Sequence, residues 1–550
     1  FIPAPSAPSD DYMYAKMAQS FFDHGTFSVD GVPTHQYPPL YPIMISLSYL
    51  ANDMRVAFFF MKFINVILSS LIIFPAFFLA REFFDDHKSL LIAVIVSVLP
   101  ATFSFSGFIL AENLFYTLFL AAFYFVYKSF KEDSIKFDIL AGIFIGLTFL
   151  TRVIALSLVV AVVVLFLCNL IGRKVGWYGF LNKVIMGVAF FITISPWLVR
   201  NGLLYGFTIG GFFGLYASVE KGSFHFTFTT LMLFTYWFVL YLIYLLIASL
   251  ALLPVLSLSI FSDKKLRTYF LLFIFTAVFV VFAAVNHNLY IQELYSLFYS
   301  KVMGRYVDVL IPVIIINGFI GLSLLNKSKA FKYLLWFSLP FFLFSFVLLF
   351  YQLFPPNNIV LSWLGLLRYA FESIIYHKSG FDSVFNLPTF IVFTVFFLSI
   401  FFIILLLSYK KLLTFRNVGL FCLVFLLGSS LVGYGMVYYN AEKYWYNNPQ
   451  TQLGLWFNDY DHGRHSTVLF DSRDEGMIQK VGTKGVYEDL GNGRSATIMG
   501  FWVRGDVVIG DPSNPGNADY VVSKHNLNYQ LLKSFGDVYL YRVCYNENCG

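Results

Sequence analysis

The chain runs to 550 residues, of which 58% are hydrophobic and only 12% charged, with a mean hydropathy of +0.72. Soluble domains carry roughly 45–50% apolar and about 25% charged residues, and their surface-to-volume ratio forbids hiding this much apolar surface. A soluble globular protein is therefore excluded, and lipid is the solvent for most of the chain. The net charge of +6 is no nucleic-acid footprint, because Lys and Arg sit in short clusters between apolar runs. Membrane lipids are expected partners, and nucleic acid is not.

The first residue is Phe1 rather than Met, which an upstream transmembrane helix or a cleaved signal segment would explain. Ser9 is a good N-cap for a helix-like stretch ending near Gly25, with Asp10 and Asp11 in its first turn. Met13, Met17 and Phe21 follow at a spacing of four, an apolar stripe suited to a membrane surface. On a random soluble helix the two carboxylates would be helix-start residues only. At the water–lipid boundary a lipid headgroup and a polar acceptor can both reach them.

Apolar runs then predict crossings near 54–80, 89–109, 113–130, 137–151, 153–171, 184–200, 228–261, 268–286, 306–325, 333–353, 388–408 and 417–438. Alternate gaps hold the basic residues, from Arg81 and Lys88 through Lys128, Lys131 and Lys136 to Lys410, Lys411 and Arg416. Short loops rich in Lys and Arg stay in the cytoplasm. The expected orientation therefore puts 1–53, the gaps near 201–227, 287–305 and 354–387, and the tail after Tyr439 outside.

The tail reads differently, with short strand-like runs at 467–470, 496–503, 507–509, 520–522 and 538–543, turns such as Gly491-Asn492-Gly493, and a helix over 526–535. Of four cysteines, Cys168 and Cys422 lie in apolar runs as core residues, while Cys544 and Cys549 could form a disulfide if that end is extracellular. The expected fold class is an α-helical polytopic membrane protein with a small C-terminal extracytoplasmic α/β domain. It has about twelve crossings in this chain, or about thirteen if an upstream helix is missing. The expected domains are 1–439, with an outer surface-helix loop at 10–53, and 440–550.

Several motifs share a recognisable order: Asp10-Asp11, Tyr14-Ala15, Gly31-Val32-Pro33 and Pro38-Pro39-Leu40-Tyr41 in the first outer loop. Glu112 at a helix start follows, then the run 146–152 ending in Thr151-Arg152, Pro196-Trp197 through Arg200-Asn201, and Gly304-Arg305-Tyr306. Over residues 10–320 the chain resembles the C-type glycosyltransferases, in the branch of protein O-mannosyltransferases and lipid A aminoarabinose transferases. It departs from that pattern in two places. The acidic pair is Asp-Asp rather than Asp-Glu, and Gln36-Tyr37 stands where the aminoarabinose branch has Glu-Lys.

The resemblance implies an inverting transfer of a sugar from a polyprenyl-phosphate carrier to an acceptor hydroxyl at the outer face. Asp10 would be the base, and Asp11 would orient the acceptor, hold Asp10 or share a divalent cation. Arg152, Arg200, Arg305 and Tyr306 would receive the donor phosphate, since guanidinium matches phosphate oxygens with two parallel donors. Such arginines also snorkel to headgroups, and for Arg200 that reading stands level. Glu112, His35, Gln36 and Tyr37 are candidates for the acceptor or a metal; a lone loop His is more often simply solvated. No organic cofactor is expected, and a divalent cation (Mg or Mn) is left open. The acceptor is a protein, lipid or glycan, the location a plasma membrane, and the Phe, Ile and Lys usage points to a prokaryote, an archaeon among the options. Two other classes fit less well. A lipid-linked glycan transporter or flippase would show internal repeats and broken helices, and a sugar-binding sensor would not need so many crossings.

Overall fold

The computed structural model describes residues 2–132, 134–172, 176–213, 227–291, 302–325, 330–377, 387–474 and 495–543. The expected Gly491-Asn492-Gly493 turn and the Cys544–Cys549 pair lie outside them. The chain divides into two compact units, one made of Phe1–Ile67, Ser106–Ala111 and Val437–Gly550, the other of Leu68–Phe105 and Glu112–Met436.

Among the described residues nine helices are long and apolar enough to cross a membrane, or ten if the bent pair Asp86–Ser97 and Pro100–Gly107 is one span. The bilayer is needed to cover them. In the most apolar window of Leu387–Tyr409 only 22% is buried, leaving Val395, Phe402 and Ile403 bare. The chain is a multi-pass membrane protein. Three of the expected twelve crossings, at 113–130, 137–151 and 306–325, are not among those helices. Ile135–Phe149 has 15 residues, too few to cover a core that needs about 20, and Asp308–Leu324 is likewise short. The expected single crossing 228–261 breaks into Phe228–Ala248 and Leu252–Leu258, because Leu250 and Ala251 take φ of 66° and 51°. The crossing expected at 89–109 bends by 57° ahead of Pro100.

The gap expected at 354–387 instead contains an apolar helix, Ile359–Tyr376. Arg368 and Glu372 disguise it in the sequence. Their charges interrupt the apolar run, yet Arg368 Nε donates to Glu372 Oε1 at 3.0 Å and both are buried. Four residues apart on a helix, the two meet on one face and satisfy each other. Cys422 is buried as expected, whereas Cys168 is exposed on the flank of its helix.

In the first unit the opening helix is Pro8–His24, capped at Ala7 rather than Ser9, and it ends at Gly25 with φ 65°. Met13 and Met17 are buried inside this unit, so the stripe expected to lie on lipid packs on protein. Strands β1 (Ser28–Val29) and β2 (Val32–Pro33) pair as a hairpin. Asp30 and Gly31 both take positive φ at its turn, which matches the twist of the strands they join.

The C-terminal part of this unit holds β3 (Val468–Asp471), β4 (Val507–Gly510), β5 (Tyr520–Ser523), β6 (Gln530–Phe535) and β7 (Val538–Arg542) in the order β4-β3-β5-β7-β6. β3 is parallel to β4 and to β5, while β7 is antiparallel to β5 and to β6. Two expected elements change type. Residues 496–503 are helical, as Ser495–Ile498 and Gly500–Trp502. The expected helix over 526–535 is strand β6, paired with β7 through a turn at Gly536 with φ 56°. Leu453 and Phe457 of the helix Pro449–Asp461 join Met499 and Val503 over Phe470, Val522 and Leu540, a shared apolar core on one face of the sheet.

Candidate active site

Glu112 opens the helix Glu112–Glu132 and is 1% exposed. A carboxylate held that far from water must be paired, and Arg152 Nη1 forms an ion pair with its Oε1. Arg152 follows the helix Ile135–Phe149, where Arg152 N–H still donates to Thr148 O at 3.0 Å. A second guanidinium converges on the same carboxylate, with Arg305 Nη1 lying 4.0 Å from Glu112 Oε1. Tyr306 stands between the two arginines. Its ring centroid is 5.2 Å from the guanidinium carbon of Arg152 and 5.7 Å from that of Arg305, within the range of cation–π attraction. The Tyr306 hydroxyl lies 3.3 Å from His287 Nε2.

The segment carrying Arg305 is held by its backbone. Arg305 N–H donates to Asn357 O at 3.0 Å, Gly304 N–H to Asn358 Oδ1 at 3.0 Å, and the Tyr116 hydroxyl donates to Arg305 O at 2.9 Å. Only glycine fits at 304, because a Cβ there would sit 2.0 Å from the Tyr244 hydroxyl oxygen. The same tyrosine donates to Asp308 Oδ1 at 2.9 Å. Asp308 is fully buried and its Oδ2 has no hydrogen-bond partner among the described residues. The sequence reading missed Asp308, Tyr116, Tyr244 and Asn358. An ionisable residue at the head of an apolar helix was the available signal for Asp308.

In the other unit the acidic pair splits by environment. Asp10 is half-buried, and its Oδ1 accepts the Tyr37 hydroxyl at 2.8 Å. Tyr37 packs against Tyr14 at 4.8 Å between centroids, and Tyr14 against Tyr41 at 5.0 Å. The Tyr41 hydroxyl in turn donates to Asn65 Oδ1 at 2.9 Å. These contacts give the Tyr14-Ala15 and Leu40-Tyr41 motifs a physical role. Asp11 is 1% exposed and accepts backbone N–H from Ser6 and Ala7 at 3.0 Å and from Ile109 at 2.9 Å. Burial pushes its carboxyl up to about 7, against the pull of those three donors. Asp11 thus anchors the chain, and Asp10 is the less buried of the two.

Arg200 stacks on Trp197 at 4.8 Å and donates to Asn201 Oδ1 at 2.9 Å, near the end of the helix Trp177–Tyr205. His35 and Gln36 lie half-buried after β2, where Gln36 N–H donates to Thr34 Oγ1 at 3.2 Å. Missed altogether was Lys62, buried in an apolar helix, whose ammonium donates to Ile2 O and lies 3.9 Å from the centroid of the Phe58 ring.

Among the described residues, Asp471, Asp474 and His525 place ligand atoms within 4.8 Å of one another. Asp471 already receives Arg473 Nη2 at 2.6 Å and the Ser523 hydroxyl at 2.7 Å, which outweigh burial and hold it below the usual carboxylate range. A cation would have to displace that arginine. None of the candidate site residues belongs to this group.

The model of the dolichyl-phosphate-mannose-protein mannosyltransferase family matches residues 36–199. ArnT from Cupriavidus metallidurans bound to undecaprenyl phosphate is similar across 98% of this chain and 94% of its own, with 13% identity and a TM-score of 0.55. Its apo structure gives the same coverage at 12% identity and a TM-score of 0.53. The fold is that of the C-type glycosyltransferases. No curated protein matches the chain. Within the C-type glycosyltransferase fold the family match takes in Gln36, Tyr37, Glu112 and Arg152, while Asp10, Asp11, Arg200, Arg305 and Tyr306 lie outside it.

Proposed function

We propose that this protein is an inverting glycosyltransferase that moves a sugar from a polyprenyl-phosphate carrier to an acceptor hydroxyl at the outer face of the membrane. The observation that carries the reading is the convergence of Arg152 and Arg305 on Glu112 and Tyr306. Two guanidinium groups brought together in an apolar unit form a receptor for an anion that ends in phosphate oxygens. The similarity to a fold seen with undecaprenyl phosphate agrees with a lipid-borne phosphate.

In the proposed step the acceptor oxygen attacks the anomeric carbon, its proton passes to Asp10, and the bond from that carbon to the phosphate oxygen breaks. The polyprenyl phosphate leaves with the bonding pair, and Arg152 and Arg305 take up the charge that grows on it. Tyr37 orients Asp10, Tyr306 lines the phosphate site, and Glu112 keeps the two arginines from repelling each other. No organic cofactor takes part. Residues 1–439 act as the transferase domain and 440–550 as an extracytoplasmic domain in this scheme.

The test supplies purified protein with labelled polyprenyl-phosphate sugars and membrane extract and identifies the labelled product. Asp10→Asn should lower turnover by roughly 10²–10⁴-fold, the usual share of a general base, with donor binding retained; near-normal turnover would remove Asp10 from its role. Arg305→Ala should weaken donor affinity by about 10–100-fold, as expected for lost hydrogen bonds to a charged group. An unchanged affinity would count against the phosphate site.

A further inference from the structure

Three side chains on one face of the opening helix grip a single turn of the C-terminal region. Lys16 Nζ donates to Val503 O at 2.7 Å and Gly505 O at 3.2 Å, and Gln19 Nε2 donates to Arg504 O. Asp23 receives Arg504 Nη1 at 2.6 Å and Nη2 at 2.8 Å, a two-pronged pair. Positions 16, 19 and 23 lie three and four residues apart, so they form one ridge on the helix. The arginine is 3% exposed and its guanidinium lies 5.1 Å from the Tyr49 ring centroid, while the Tyr49 hydroxyl donates to Ala15 O of the same helix at 2.8 Å.

Burial works against the charge on Asp23, yet Arg504's hydrogen bonds and charge outweigh it and hold the carboxyl below its usual range. A planar guanidinium fixes both angle and distance, which an ammonium does not. All these residues belong to the unit that also carries Asp10.

We infer that the turn Val503–Gly505 is a positioning element for the opening helix, with Arg504 as its central residue, and that it sets where Asp10 stands. The last clause rests on Asp10 being the base; the grip on the helix does not. The turn then serves catalysis from a distance, through the helix that bears the carboxylate. A pair this well buried holds the helix in one register, so loosening it spreads the positions open to Asp10. That lowers the fraction of productive encounters while leaving donor binding alone.

The experiment compares full-length wild type, Arg504→Ala, Arg504→Lys and Asp23→Ala in lipid nanodiscs by hydrogen exchange and by steady-state transfer. Arg504→Ala should speed amide exchange across residues 8–24 by tenfold or more and leave β3 and β5 unchanged. It should also lower kcat about tenfold with donor KM within twofold. Arg504→Lys should restore part of both. Asp23→Ala removes the same pair from the helix side without touching the turn, and it decides the matter if Arg504→Ala loosens the sheet as well. Unchanged exchange over 8–24 in Asp23→Ala would overturn the inference. Altered exchange with an unaltered kcat would leave the grip standing and remove Asp10 as the base it positions.

Discussion

Asp10 and Asp11 are neighbours in sequence with different surroundings, and the difference lies in what each oxygen meets. Asp11 spends both oxygens on backbone N–H groups, one of them 98 residues away. No spacing rule on a single sequence reveals such a partner, so the pair reads as two equivalent acids until the chain is folded. With a folded pKa of about 7 against an ordinary 3.8, Asp11 favours the folded state most at low pH. That contribution is present below about pH 4 and is lost as pH rises through about 7. Thermal unfolding from pH 4 to 8 should show this decline, and Asp11→Asn should lie lower but run flatter; an equally steep variant would show that another group titrates.

Glu112 and Arg152 were legible for a simple reason, since a charge inside an apolar run needs a partner. Their mutual pairing was not legible, because 40 residues separate them. Removing Glu112 leaves a guanidinium buried without its carboxylate. Glu112→Ala should therefore destabilise the protein by about 3–5 kcal/mol, and adding Arg152→Ala should give part of that back. The shift in unfolding midpoint measures both.

At the level of elements, hydrophobic runs located the long helices well and failed wherever polar pairs or short segments broke the pattern. Arg368 and Glu372 hid one helix, and the segment 526–535, whose apolar residues suit a helix or a strand, took the form its neighbour β7 could pair with. Strand or helix in such a segment is decided by tertiary partners rather than by local preference. The short helices Leu252–Leu258 and Ile311–Leu324 rest on close backbone approach. A Cβ at Gly321 would lie 1.9 Å from Leu256 O, and one at Gly318 would lie 2.6 Å from Leu253 Cβ. Gly321→Ala should push the two apart and cost about 1–3 kcal/mol, the usual range for overpacking. Detergent melting checks this, and Gly435→Ala is the control, since nothing lies within 4 Å of a Cβ there.

For the whole molecule, composition alone announced the membrane, and the order of its motifs announced the fold. The division of the chain could not be read that way. Phe1–Ile67 shares a compact unit with Val437–Gly550 although hundreds of residues intervene, and contacts of such separation leave no periodic trace in sequence.

That long separation governs how the protein is made. The ammonium of Lys16 finds its carbonyl 487 residues downstream. At ribosomal speeds of about 5–20 residues per second, roughly 25–100 s pass between synthesis of the first partner and of the second. The amino-terminal arm must wait through the insertion of every intervening helix before its fastening exists. A nascent chain therefore emerges with its opening helix unfastened, and a segment made hundreds of residues later is the one that secures it.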